Sequence, residues 1–189
     1  MFGLILVVII NFIGIGALIP ILPFIVIDEL GYSETVMSAL LASFALAMFV
    51  ANPILGRLSD KIGRKPVLLG SLVISICAHL WFAISEDILS LFLARILAGF
   101  ASGNIGVIQA IIADLSTPET RAKKLGLLGA AIGIGFILGP AVGGLLSGIG
   151  SGPVHQAPFL MAAGLSALAL SLTYKIQETV KIKAENTVK

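Results

Sequence analysis

Gly56-Arg57-Leu58-Ser59-Asp60-Lys61-Ile62-Gly63-Arg64-Lys65-Pro66 lies between two apolar stretches, each long enough to cross a bilayer. It gathers the cations Arg57, Lys61, Arg64 and Lys65 around one acid, Asp60. Each charge at membrane depth would need several kcal/mol of compensation, so the stretch reads as a short turn in water at one membrane face. Gly56 and Gly63 allow the backbone to turn sharply, and Pro66 suits the first turn of a following helix. An ordinary basic loop accounts for the positive charge but not for the ordered Gly, Asp, Gly, Arg pattern.

Composition agrees. The chain is 58% hydrophobic and only 12% charged, with a mean hydropathy of +1.09, far from the quarter charged of a typical soluble domain. It reads as a membrane protein in contact with lipid. The net charge of +2 is confined to a few loops, and nothing supports nucleic-acid binding. The single cysteine, Cys77, cannot form an internal disulfide and says nothing about compartment.

Six apolar stretches have the length needed to span about 30 Å of hydrocarbon as helices. They run from about Gly3 to Ile27, Val36 to Leu55, Val67 to Ile84, Ile88 to Ala113, Leu125 to Leu146 and Ala157 to Tyr174. The first is too long for a signal peptide and lacks a small-residue cleavage site, so it is expected to be retained. Residues 1–175 form one six-helix bundle on this reading, and residues 176–189 a basic tail. Cations follow spans two, four and six: Arg57 to Lys65, then Arg121, Lys123 and Lys124, then Lys175, Lys181, Lys183 and Lys189. The loops after the odd spans hold only the acids Asp28, Glu29, Glu34, Glu86 and Asp87. The positive-inside rule therefore puts both termini in the cytoplasm.

In the first span, Gly14 is followed by Pro20 and Pro23, whose missing N–H groups predict a kink near the outer end. Prolines are common in membrane helices, so this carries only part of an argument. The fifth span has the most specific pattern. Helical spacing puts Gly135, Gly139 and Gly143 in one groove, and Gly126, Gly129, Gly133, Pro140 and Gly144 in an adjoining one. Small residues let another helix approach closely, the main adhesive where lipid removes the hydrophobic drive. Before that span, Ser116 and Glu119 have capping-box spacing and Pro118 fits the first turn of a short helix. Arg95 is the one cation within a span, and steps of seven place Arg95, Ser102 and Gln109 on one side of the fourth helix. It either serves function there or snorkels to a nearby interface.

These motifs carry a resemblance. Gly56 to Pro66 matches the loop signature called motif A of the major facilitator superfamily. Gly14, Pro20 and Pro23 resemble motif D of its drug/proton antiporters, Arg95 resembles the motif B arginine implicated in proton coupling, and the fifth-span pattern resembles motif C, the antiporter motif. The chain looks like the N-terminal half of a tetracycline-antiporter-like protein across almost its whole length. That resemblance implies secondary active, proton-coupled efflux of a small amphipathic molecule or drug by alternating access, in a bacterial-type inner membrane. It implies a cytoplasmic gate of Gly56, Asp60, Gly63, Arg64, Lys65, Asp114 and Arg121, in which Asp114 pairs with Arg64. It also implies glycine packing between two rocking bundles.

The same resemblance raises a difficulty, because the acids of the family's first and third helices align with Asn11 and Ala78, which carry no proton. The coupling acid would lie in another half or chain, be replaced by His79, or be limited to Asp60 and Asp114. Proton coupling and the substrate path are thus expected among Arg95, Asn11, Ser102, Gln109 and His79. One bundle is half of such a fold, so a homodimer, a separate partner or a C-terminal half is needed. The alternative is a non-transporting bundle that binds or regulates another membrane protein. No metal-ligand cluster, nucleophile constellation or phosphate loop points to an enzyme or a cofactor.

Overall fold

The computed structural model of the chain describes residues 2–147 and 156–179; the expected tail cations Lys181, Lys183 and Lys189 lie outside the described residues. Among the described residues there are seven α-helices and no strand: α1 (Phe2–Leu18), α2 (Glu34–Ile62), α3 (Arg64–Ala83), α4 (Ile88–Ser102), α5 (Ile105–Asp114), α6 (Pro118–Ser147) and α7 (Gln156–Tyr174). Counting α4 with α5 as one 27-residue stretch, five spans are long and apolar enough to cross a membrane, and α1 adds a shorter apolar helix of 17 residues.

The first expected span is interrupted. α1 ends at Leu18, and after a turn at Pro20 the chain continues as a π-helical segment, Phe24–Glu29. Pro20 and Pro23 donate no backbone hydrogen bond, and the ladder resumes with a wider step, Leu30 N–H to Ile25 O at 3.0 Å. The fourth span is interrupted too. At Gly103 and Asn104 the helix tightens, with Asn104 N–H reaching Ala101 O, three residues back, at 3.2 Å.

Two expectations about the loops are corrected. The stretch from Gly56 is not a turn: α2 runs on through Ile62, because nothing from Arg57 to Lys61 breaks a helix, and Gly56 is simply a helical residue. Only Gly63 lies between α2 and α3, at φ +108°, a conformation that side chains rarely adopt. Likewise the short helix expected after Ser116 is the start of the 30-residue α6. Its capping box does not form, since the Ser116 hydroxyl returns to Ile112 O. Thr117 N–H instead donates to the Thr120 hydroxyl at 3.1 Å.

α1 packs between α6 and α7, α3 against α4 and α7, and α2 against α4 and α5. One buried cluster joins Leu4, Val8, Leu55, Leu68, Ile108 and Leu128 near the Arg64 end. A second joins Leu18, Leu22, Leu40, Phe82, Leu91 and Phe159 near the other. Burial is uneven: 17% of the most apolar stretch of α2 and 22% of that of α6 is buried, against 50% for α3 and 56% for α4 with α5. Two helices therefore keep a broad apolar flank outside the bundle.

Candidate functional site

The one-residue turn at Gly63 brings the end of α2 and the start of α3 together, and Asp60 of α2 and Asp114 of α5 converge on Arg64. Its guanidinium donates from Nη2 to Asp60 Oδ1 at 2.7 Å and from Nε to Asp114 Oδ2 at 3.1 Å. Its Nη1 donates to the Ser59 hydroxyl at 2.7 Å. The Arg64 and Asp114 side chains are only 9% and 6% exposed, whereas Asp60 is 61% exposed. The two pairs therefore differ in strength: the exposed pair is worth about 1 kcal/mol or less, while breaking a buried one leaves an uncompensated charge. One arginine thus clasps α2 to the end of α5 with one tight grip and one loose grip. Lys65 turns away to Tyr174, and Arg121 stands exposed on the first turn of α6. Nearby, the Glu119 carboxyl is held below its ordinary value of 4.5, first by a hydrogen bond from the Thr117 hydroxyl and then by its own backbone N–H.

Arg95 occupies a different environment. It is 4% exposed, with its guanidinium 5.3 Å from the Phe44 ring centroid and 5.7 Å from that of Phe82. Phe82 stacks on Phe159 at 3.9 Å and 7°, and Phe159 meets the His79 ring at 6.4 Å. Arg95 Nε is buried with no hydrogen-bond partner among the described residues. The aromatic faces supply cation–π attraction in place of a counter-ion. Two of the expected coupling residues, Arg95 and His79, thus share one aromatic cluster built from α2, α3, α4 and α7. His79 Nδ1 also lies 3.5 Å from the Ser166 hydroxyl, which is 3.3 Å from that of Ser75.

The remaining expected residues do not join that cluster. Asn11 is buried in α1. Ser102 returns its hydroxyl to Ala98 O at 2.9 Å. Arg95, Ser102 and Gln109 do not form one track, because the tightened turn at Gly103 and Asn104 alters the helical phase between them: Arg95 is buried and Gln109 exposed. Gln109 lines an open cleft of about 530 Å³ between α5 and α6, with Leu125, Gly129 and Ile132 opposite. On the other side of the same span, Ser43, Leu46, Val50, Ile96 and Phe100 line a cleft of about 320 Å³ between α2 and α4.

Glycines set how closely the helices approach. A Cβ at Gly135, Gly139 or Gly143 would meet Phe12, Gly16 or Ala17 of α1 at 2.5, 2.7 and 2.1 Å, so this groove is used inside the bundle. Of the two grooves expected on α6, it is the one that faces α1. The adjoining groove is the outward one: a Cβ at Gly126, Gly129, Gly133 or Gly144 would meet nothing within 4 Å, and Pro140 is half-buried. Gly14 makes ordinary contact with Ala162 of α7 at 3.6 Å, and Pro20 and Pro23 mark the break after α1. A second tight seam was not read from the sequence, although Gly99 and Gly103 have the required four-residue spacing. Cβ atoms at Gly99, Gly103 and Gly106 would meet Phe44, Ala51 and Asn52 of α2 at 2.3, 2.6 and 2.1 Å.

The sequence profile described as Major Facilitator Superfamily matches residues 4–188. The chain is 40% identical over 173 residues to the tetracycline resistance protein, class C, of Escherichia coli, covering 89% of this chain and 42% of that protein. It is 39% identical over 166 residues to multidrug resistance protein 1 of Bacillus subtilis, covering 87% and 41%. The crystal structure of the human organic anion transporter MFSD10 superposes with a TM-score of 0.79 at 25% identity, over 94% of this chain and 47% of that one. The chain spans about two fifths of the length of these curated relatives. A profile matched over nearly its whole length, close bacterial relatives and a bundle of apolar helices with the fold of solved transporters establish that this chain is a multi-pass inner-membrane protein of the Major Facilitator Superfamily.

Proposed function

We propose that this chain forms one six-helix half of a proton-coupled antiporter that exports a small amphipathic molecule by alternating access, with both termini in the cytoplasm. One observation carries the reading. The two least buried helices, α2 and α6, flank the span that holds Arg95 and Gln109, with an open cleft on either side of it. A second bundle seated against those flanks would close both clefts over a path between the halves. That bundle is a C-terminal half, a partner chain or a second copy. The Arg64 clasp lies at the end of the bundle that carries the loop cations, which supports its role as a cytoplasmic gate.

The relatives' names favour drugs as cargo, tetracycline among them. Among the described residues the acids stand at helix ends, so proton exchange within this half falls to His79 or to the clasp carboxylates Asp60 and Asp114. The test is proton-driven efflux of a fluorescent cationic dye from proteoliposomes holding the chain with its second bundle. Arg95→Ala and Asp60→Asn are expected to abolish efflux while the protein stays folded in the membrane. Unchanged efflux in both variants refutes the assignment.

A further inference from the structure

Beyond α7 the chain folds back onto the turn between α2 and α3. Gly63 has no side chain with which to cap α3, and no side chain near it in sequence does so. The first N–H groups of a helix have no partner within it. Here they are met from 114 residues away: Arg64 N–H donates to Glu178 Oε1 at 2.9 Å, and Lys65 N–H donates to Glu178 Oε2 at 3.0 Å. A negative carboxylate also suits the positive end of the helix dipole.

The adjoining residues tighten the attachment. The Thr179 hydroxyl donates to Asp114 Oδ2 at 3.4 Å, the same oxygen that receives Arg64 Nε. Lys65 Nζ donates to Tyr174 O at 2.5 Å and lies 5.0 Å from the Tyr174 ring centroid. Thr179 is only 2% exposed. Gly63 is shaped to this contact, since a Cβ there would lie 2.6 Å from Glu178 Oε2.

We propose that residues 175–179 form a strap docked on the loop clasp, and that Glu178 is its positioning residue, fixing where Arg64 stands relative to Asp60 and Asp114. The functional meaning rests on the reading of that clasp as a gate. Because Thr179 and Arg64 share one carboxylate oxygen, loosening the clasp loosens the strap, and the coupling acts equally in both directions. The gate therefore includes a segment beyond the last helix of the bundle.

The experiment uses the full detergent-solubilised chain with Cys77→Ser and a reporter, Thr179→Cys, whose burial makes its maleimide labelling depend on release of the strap. Glu178→Gln removes the charge and is expected to speed labelling about fivefold, the factor corresponding to a lost helix cap. Asp114→Asn is read in the chain that keeps Thr179, because the reporter removes the hydroxyl that meets Asp114; there it is expected to speed tryptic cutting after Lys175. As a check without the reporter, trypsin should cut after Lys175 faster in the Glu178→Gln protein. Equal labelling and cutting with Glu and Gln at 178 overturn the strap, and an unchanged cutting rate in Asp114→Asn with Thr179 in place overturns its link to the clasp. Loss of efflux in Asp60→Asn bears on the gate alone, so the two readings fail separately.

Discussion

Gly139 lies where the backbones of α6 and α1 come closest, and replacing it with alanine gives a measurable consequence. The added Cβ would stand 2.7 Å from Ala17 N, Gly16 C and Gly16 Cα, all backbone atoms that no rotamer change can clear. Ordinary contact begins near 3.4 Å, so the helices must part by about 0.7 Å along the seam, losing dispersion contacts on both sides. Overpacking of this kind typically costs about 1–3 kcal/mol. For a domain of this size that is about 2–12 °C in Tm. Gly133→Ala, six residues away on the same helix, is the control. Its Cβ would meet nothing within 4 Å, so alanine there should leave Tm unchanged or raise it slightly through helix propensity. The assay is the fraction of detergent-solubilised protein that stays monodisperse after heating. Equal melting of the two variants, or a Gly139→Ala protein as stable as the parent, would refute the seam.

Three other outcomes follow from the same geometry. Asp114→Asn should lower Tm by about 6 °C or more, and Asp60→Asn by about 4 °C or less, since the first breaks a buried pair and the second an exposed one; thermal melting of the two side by side decides it. Gly99→Ala should also lower Tm, because its Cβ would stand 2.3 Å from Phe44 O and push away the ring that covers Arg95; its melting is compared with that of Gly126→Ala, where the space is open. At Glu119 the folded-state pKa is depressed, so its contribution to the start of α6 is complete above the ordinary carboxylate value of 4.5 and disappears as pH falls through the lower folded value. Thr117→Val should move the titration of that carboxyl back toward the ordinary value, as followed by carboxyl-carbon NMR.

The membrane spans were legible in the sequence because hydropathy and length alone mark a bilayer-crossing helix. Their interruptions were less so. The prolines after α1 announced a break, but the tightening at Gly103 and Asn104 depends on Gly99, Gly103 and Gly106 lying against α2, a contact that local spacing only hints at. The charged stretch was legible as an aqueous end of two helices, yet Gly56 is helical because one glycine within an otherwise helix-compatible run does not stop a helix. The pairing of Arg64 with Asp114 came from family resemblance. Glu178 carried no sequence signal, because a cap supplied from 114 residues away has no spacing to recognise. The aromatic faces over Arg95 were hidden for the same reason, Phe44 and Phe82 being far from it along the chain.

A connector of one residue between α2 and α3 has no slack. A longer loop would absorb any tilt of α2 before it reached its neighbour; Gly63 has only its own two torsions with which to do so. When the exposed flank of α2 is pushed, the displacement must pass directly into the first turn of α3, where Arg64 stands. The pair behaves as a crank whose pin is a glycine. Lengthening the pin by one further glycine would leave every charge in place, yet let one arm turn without moving the other.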